Sequence, residues 1–110
     1  MEKTVNKVEL NGFIGIEPEM TNFNNGGKKL HFSLATNESY KNRDGEWIKE
    51  TTWHNIVLWN KTAEDAEKIL KKGTRVSITG KLVNRVYTDK KGNKKYISEI
   101  VANTFEAVAA

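Results

Sequence analysis

Cysteine is absent from this 110-residue sequence, proline occurs once and histidine twice. Without cysteine the protein can have neither a disulfide framework nor a thiolate metal site. No segment approaches the ~20 apolar residues of a membrane-spanning helix, and the first residues lack the apolar run of a secretory signal peptide. We therefore expect a cytoplasmic protein without a membrane partner. Chains of this length usually form one domain, so residues 1–110 are predicted to be a single domain.

Motifs that carry catalysis are equally scarce. His31 and His54 do not form a His-x-x-x-His pair, and the sequence contains neither a glycine-rich phosphate loop nor a nucleophile elbow. Glu17 and Glu19 flank Pro18 and are more typical of a solvated turn than of an acid/base pair. The sequence therefore predicts no catalytic residue, no metal site and no cofactor, in a protein that is not an enzyme.

Positive charge is present, and it is unevenly distributed. The formal net charge is +4, but between Lys68 and Lys95 ten lysines and arginines accompany a single acidic residue, Asp89. A local basic surface attracts polyanions such as nucleic acids. A solvated lysine-rich face explains the same distribution, so charge alone does not decide between the two interpretations.

One segment has helical periodicity. Thr62 can cap its N-terminus, Glu64 and Asp65 place negative charge in its first turn, and Gly73 follows its basic end as a stop signal. The apolar residues of this segment fall at helical spacing. We expect them to form a core-facing stripe made of Ala63, Ala66, Ile69 and Leu70.

The remaining segments alternate between apolar and polar residues and are separated by turn clusters, as β-strands are. The predicted element order is β-β-β-α-β-β. A strand-rich chain of this size has to close or cover its sheet edges, and a five-stranded barrel with the helix between strands 3 and 4 does so. This all-β layout with one helix is the OB-fold. A small sandwich is the alternative, but it leaves the single helix unexplained.

The segment ETTWHNIVLW holds two of the three tryptophans. In a strand, Trp53 and Trp59 share one face, whereas Ile56 and Leu58 share the other and are typical core residues. Tryptophans of small barrels usually belong to the core, but Asn55 lies between these two on their face. We interpret that face as a platform on which the bases of a single strand stack, with nearby lysines and arginines contacting phosphates. The third tryptophan, Trp47, is given no role, because a loop tryptophan can simply pack down on its hairpin.

Longer stretches resemble a known family. LATNESYKNRDGEW, TTWHNIVLWNKTAEDAEKILKKGTRVSITGKL and YTDKKGNKKYISEIVAN are similar to the bacterial single-stranded DNA-binding protein family, and VNKVELNGFIGIEPE is similar to its N-terminal strand and turn. The resemblance extends from Val5 to about Phe105. It implies a nucleoid-associated OB-fold that binds single-stranded DNA in replication, recombination or repair. It also implies a homo-oligomer, usually a homotetramer, although a dimer is possible.

The resemblance also implies roles for individual residues. The stacking aromatics fall on Tyr40, Trp53, Trp59 and Tyr87. The DNA-contacting basic residues fall on Arg43, Lys49, Lys61, Lys72 and Arg85. The basic hairpin beside Tyr87 supplies two further candidates for phosphate contacts, Lys94 and Lys95. His54 matches a position at a subunit interface, which accounts for a polar side chain on the apolar face of its strand.

The sequence departs from the family at several points. Tyr40 and Tyr87 occupy positions that are often tryptophan, and Val86 stands where lysine is common. The family's flexible linker and acidic C-terminal tip are not found in NTFEAVAA, so we expect a short form whose tail-mediated recruitment of other proteins is in doubt. Two other functions stay open at this point: a replication-restart accessory of the same fold that acts as a protein-binding hub, and an RNA-binding OB module.

Overall fold

The computed structural model describes residues 4–108, so the outermost residues of the predicted 1–110 domain lie outside the described part. Strands account for most of that part. The elements in chain order are β1 (Val8–Ile14), β2 (Glu19–Asn22), β3 (Lys28–Lys41), β4 (Trp47–Trp59), α1 (Asn60–Ile69), β5 (Arg75–Thr88) and β6 (Lys94–Ala107).

Five of these strands close a barrel. The hydrogen-bonded order is β1-β5-β6-β4-β3, and β1 returns to pair with β3 at Phe13 and Ile14. All of these neighbours are antiparallel except β4 and β6, which pair in parallel at Ile56 and Val57. The predicted five-stranded OB barrel, with its helix between the third and fourth barrel strands, is confirmed. The four-residue β2 was not predicted; it adds to β3 outside the barrel ring.

The core lies inside the barrel, and α1 closes one part of it. Alternate residues of the barrel strands supply its side chains, as the period of two predicts. The largest fully buried side chains include Phe32, Leu30, Leu34, Ile56 and Leu58. Ala63, Ala66 and Leu70 of the predicted helical stripe are buried with them. Ile69 is not, because it is 52% exposed, so its assignment to the core was wrong.

The helix begins two residues before the predicted cap. Its N-cap residue is Trp59, which makes no side-chain capping hydrogen bond, and Asn60 has the positive φ of 52°. The Asn60 side-chain oxygen accepts a hydrogen bond from the backbone N–H of Lys28 (3.2 Å). A contact with the start of β3 therefore fixes this end of the helix, and the prediction of Thr62 as the cap was wrong.

Two hairpin arms extend the sheet beyond the core. The β3–β4 arm comprises residues 36–52 and the β5–β6 arm comprises residues 83–99, and each is a two-stranded ladder. Their loops share one design: the side-chain oxygen of Asn42 or Asp89 accepts hydrogen bonds from two backbone N–H groups. The fourth loop residue, Gly45 or Gly92, has a positive φ of 81° or 85°, a conformation that glycine adopts without strain. Both loops are thus stabilised by one side-chain acceptor and one glycine.

Candidate nucleic-acid interface

Strand β4 places its two faces in different environments. Ile56 and Leu58 are fully buried in the core, whereas Trp53 and Trp59 lie on the outer face of the barrel with 61% and 43% of their surface exposed. The alternation seen in the sequence is therefore the alternation of the structure. Asn55 and Val57 lie between the tryptophans on the outer face, and Val57 is only 1% exposed, so the two rings form separate exposed sites, the Trp53 and Trp59 stations.

The ring of Trp53 lies against the backbone of Gly15. A Cβ atom built on Gly15 would approach the Trp53 ring to 2.1 Å, which is far inside van der Waals contact. The absence of a side chain at this glycine therefore allows the indole to lie where it does. The sequence gives no sign of this contact, since Gly15 and Trp53 are far apart in the chain.

Trp59 has two neighbours that the sequence analysis did not select. The ring of Phe23 stacks near it, with centroids 6.1 Å apart and an interplanar angle of 22°. The Nζ atom of Lys29 lies 5.8 Å from the centroid of the Trp59 ring, within cation–π range. Lys29 faces Trp59 directly across the β3–β4 ladder. This cluster joins two aromatic rings and a cation at one exposed point.

The β5–β6 arm continues the outer face. Tyr87 is 47% exposed and lies opposite Lys95 across the ladder. Arg85 lies on the same face, two residues along β5, but its guanidinium donates to both carboxylate oxygens of Glu99 at 3.0 and 3.4 Å. Lys94 alternates to the reverse face. Among the predicted phosphate contacts of this arm, Lys95 and Arg85 share a face with Tyr87. Of these two, Arg85 is the one paired with a carboxylate.

Tyr40 is the predicted stacking residue that the structure separates from the others. In the β3–β4 register Tyr40 faces Ile48, so it lies on the reverse side of the arm from Trp53. Its hydroxyl donates a hydrogen bond to Oε1 of Glu50 at 3.2 Å. The negative charge of Glu50 raises the pKa of the Tyr40 phenol. Its stacking role stays a prediction.

The remaining predicted basic contacts are exposed and scattered around the platform. Lys49 lies on the outer face of the β3–β4 arm, on the same side as Trp53. Arg43 occupies the tip of that arm, and Lys61 follows Trp59 in the first turn of α1. Lys72 follows the helix, where its backbone N–H donates to a carboxylate oxygen of Glu17 (3.3 Å). Positive charge therefore borders the outer face at several points.

His54 lies at the end of the core-facing row of β4. It is half-buried, and its Nε2 atom is 3.0 Å from the Oγ1 atom of Thr36. The predicted role at a subunit interface concerns a second chain and stays a prediction. Within residues 4–108, histidine and acidic side chains do not converge into a cluster of metal-ligand number. No helix among those residues is long and apolar enough to cross a membrane.

Comparison with known proteins agrees with this geometry. The Single-strand binding protein family matches residues 5–108. "Single-stranded DNA-binding protein 1" of Chlorobaculum tepidum is 40% identical over 111 residues, which cover 100% of this chain and 68% of the relative.

Solved structures give the same answer. The Plasmodium falciparum SSB in complex with ssDNA superposes with a TM-score of 0.86 at 37% identity, over 98% of this chain and 97% of that one. A deletion mutant of the single-stranded DNA binding protein from Thermus aquaticus gives a TM-score of 0.84 at 25% identity, over 96% of this chain and 51% of that one. The chain therefore belongs to the single-strand binding protein family.

Proposed function

We propose that this protein binds single-stranded DNA with little sequence preference. One observation carries the proposal: the outer face of an OB barrel displays Trp53 and Trp59 to solvent, on a strand whose other face is core. Two exposed indole rings on one face of one strand offer flat surfaces on which unpaired bases can stack. Every base has a π-face, so aromatic plates of this kind bind single strands without reading their sequence. The relatives that match this chain are single-stranded DNA-binding proteins.

Stacking is assigned to three outer-face residues, Trp53, Trp59 and Tyr87. The Trp59 station is the most elaborate, because Phe23 widens the aromatic surface and Lys29 places a cation beside it. A base that stacks there can bring its phosphate within reach of that ammonium group. Paired bases are already stacked on one another, so duplex DNA cannot use the platform and keeps only the electrostatic attraction.

Phosphate contacts are assigned to the basic side chains that border the platform. Those with the clearest access are Lys49, Lys61 and Lys95, and Lys72, Arg43 and Lys94 lie farther along the surface. Arg85 can contribute as well, because a guanidinium has five N–H donors and Glu99 engages only some of them. The proposal needs no catalytic group, metal or cofactor, and the relatives are named as binding proteins.

We also propose that the protein acts as a homo-oligomer. Residues Val8–Gly12 of β1 pair with β5 along one edge and, in the described part of the chain, with no strand along the other. An unpaired edge is a ready template for another strand, and a second copy of β1 is its simplest partner. His54 supports the same idea through the family resemblance. Light scattering at micromolar concentration is the test, and a monomer there contradicts it.

The cellular setting follows from the binding activity and is part of the proposal. A protein that coats single strands acts where duplex DNA is opened, as in replication, recombination and repair, and we place it with the nucleoid in the cytoplasm. Residues 1–110 supply one OB-fold domain for this task. Recruitment of other proteins through an acidic tail is not proposed for this sequence.

The experiment is a titration of intrinsic tryptophan fluorescence with oligo-dT, oligo-U and duplex DNA, each at low and moderate salt. We expect oligo-dT to quench the emission at both salt concentrations. Duplex DNA should bind poorly and be released by moderate salt. Equal affinity for duplex and single strand would indicate a general polyanion binder. Tighter binding of oligo-U would favour an RNA-binding module, and no nucleic-acid binding at all would favour a protein-binding hub.

A further inference from the structure

The two faces of the β3–β4 arm carry opposite charge. The ladder pairs Lys41 with Trp47 without a bulge as far as Lys29 and Trp59, so odd-numbered residues of both strands share one face. In the paired residues 36–41 and 47–52 the odd face, continuous with Trp53, consists of Asn37, Ser39, Lys41, Trp47, Lys49 and Thr51. The even face consists of Thr36, Glu38, Tyr40, Ile48, Glu50 and Thr52. The odd face therefore has two lysines and no acid, and the even face has two glutamates and no base.

Each face also has one exposed aromatic residue. Tyr40, on the even face, is 47% exposed and hydrogen-bonded to Glu50. Trp47, on the odd face, is 69% exposed and begins strand β4. The expectation that a loop tryptophan packs down on its hairpin does not hold for this residue. A phosphate chain approaching the arm meets attraction on the tryptophan side and repulsion on the tyrosine side.

Trp47 also continues the spacing of the platform. Trp47, Trp53 and Trp59 are six residues apart along one face of one strand, which is about 20 Å per step at the usual rise of a β-strand. Lys49 lies between the first two, and Lys41 lies directly across the ladder from Trp47. An aromatic plate with a cation on either side is the arrangement that single strands require.

We propose that Trp47 is a further stacking site for single-stranded DNA, and that the strand runs from Trp53 along the lysine face of the β3–β4 arm rather than across its Tyr40 face. Lys41 and Lys49 contact the phosphates on this path. The inference rests on the proposed function, which it extends by one station. It gives the stacking role of this arm to Trp47 and leaves Tyr40 on a face that repels phosphates.

The first experiment compares Trp47→Ala with Tyr40→Ala, a matched pair because both remove an exposed ring from the same arm. Binding is measured with oligo-dT of increasing length. With long oligomers Trp47→Ala should weaken binding by about 5- to 150-fold, the loss expected for one stacked base. Trp47→Phe, which keeps an aromatic ring, should retain most of the affinity, and Tyr40→Ala should lose less than Trp47→Ala. Oligomers too short to reach beyond Trp53 should bind Trp47→Ala and the parent equally.

The second experiment isolates the signal of Trp47. Replacing Trp53 and Trp59 by Phe leaves Trp47 as the single tryptophan and keeps rings at the other two stations. Long oligo-dT should quench its emission, and Lys41→Ala in the same background should reduce the quenching at a given concentration. Thermal melting of every variant shows whether its fold is retained, which we expect because Trp47 is mostly exposed.

The outcomes separate the two levels of the proposal. If the parent binds oligo-dT but Trp47→Ala binds it equally at every length, or Trp47 emission is unaffected by DNA, this inference is wrong and the proposed function stands. A larger loss in Tyr40→Ala than in Trp47→Ala overturns the choice of face in the same way. If the parent fails to bind oligo-dT, the proposed function itself fails.

Discussion

The two hairpin arms have similar outer faces and different reverse faces. Each has an aromatic ring and lysine on its outer face: Trp47 with Lys41 in one, Tyr87 with Lys95 in the other. On its reverse face, the β3–β4 arm presents two glutamates, Glu38 and Glu50. The reverse of the β5–β6 arm instead presents exposed Val86 and Tyr96 (54% and 75% exposed), a hydrogen-bonded Ser98–Asn84 pair and Lys94.

This difference determines which ligand, DNA or protein, the reverse face of each arm favours. Negative charge behind the β3–β4 arm makes that side unfavourable for DNA, so charge alone orients a strand toward the front. The β5–β6 arm lacks acids on its reverse face, and its exposed apolar side chains suit contact with protein better than contact with phosphate. Trp53 and Trp59 belong to neither arm, and their removal should have the largest effect.

Removing both central tryptophans should have the greatest consequence. Trp53→Ala plus Trp59→Ala should weaken oligo-dT binding by about 2–6 kcal/mol, since each stacked base contributes about 1–3 kcal/mol and stations this far apart add. Because both rings are partly exposed, the fold should survive. Isothermal titration with long oligo-dT measures the loss, with Ile69→Ala, an exposed apolar residue of α1, as the control. Parent-like binding together with collapsed stability would mean that the tryptophans are structural.

Gly15 tests whether the position of Trp53 matters as well as its presence. The Cβ of Gly15→Ala would lie 2.1 Å from the indole, so the ring has to move. We expect weaker binding than the parent but a smaller loss than Trp53→Ala, about 1–3 kcal/mol at most.

A double-mutant cycle identifies the cause of that loss. In a Trp53→Ala background the Gly15→Ala change should have almost no further effect on binding, because the ring that it displaces is already absent. Independent, additive losses would show instead that Gly15 acts through the barrel, and melting of Gly15→Ala would reveal the accompanying instability.

The sequence could predict the barrel, but it could not predict which residues lie on the outer and the reverse faces of the arms. Alternation gave the buried rows of β3 and β4, including Phe32 and Ile56, because core positions repeat every second residue. Which face of the arm receives Tyr40 depends on the hairpin loop. A five-residue loop puts residues of equal parity opposite one another, whereas a four-residue loop would have put Tyr40 on the side of Trp53. The sequence NRDG marks a turn without fixing its length.

Long-range contacts were the other limit. Lys29 meets Trp59 through the register of β3 on β4, and Phe23 reaches it from the β2–β3 turn. No local sequence pattern reports contacts between segments thirty residues apart. The helix start failed for a similar reason. Thr62 satisfies the local capping rule, but Asn60 is held by the backbone of Lys28. Local sequence patterns located the strands and the helix. Contacts between distant segments determine where the helix begins and which side chains surround Trp59.

A smaller effect distinguishes the front of the β5–β6 arm from its back. Lys95 lies opposite Tyr87 on the front, and Lys94 points to the reverse face. Neutralising one phosphate contact should reduce the slope of log K against log salt by about 0.7 for a single strand. We expect Lys95→Ala to flatten the slope by about that amount and Lys94→Ala to change it less. Equal slopes for the parent and both variants would mean that the strand does not touch this arm.

The smallest predicted effect concerns the ion pair between Lys28 and Glu64. The Nζ atom of Lys28 lies 2.6 Å from Oε1 of Glu64, joining the start of β3 to α1. The hydrogen bond and charge of Lys28 lower the pKa of Glu64 below 4.5, and Glu64 raises the pKa of Lys28 above 10.5 for the same reasons. Because the pKa of Glu64 is lowered in the folded state, its contribution to stability is fully present above the pKa of the unfolded state. This contribution is lost as the pH falls through the pKa of the folded state. Because the pKa of Lys28 is raised in the folded state, its contribution to stability is present below pH 10.5 and is lost at higher pH.

The pair should therefore help between these limits, and only slightly, because both groups are solvated and screened by salt. Glu64→Gln should lower the melting temperature a little near neutral pH, and the gap to the parent should close well below pH 4.5. Asp65→Asn, which alters a neighbouring exposed carboxylate of α1, is the control and should show no such closing gap. If oligo-dT affinity follows the Glu64→Gln change although stability does not, the pair acts by positioning Lys29 and Trp59 rather than by holding the helix to the barrel.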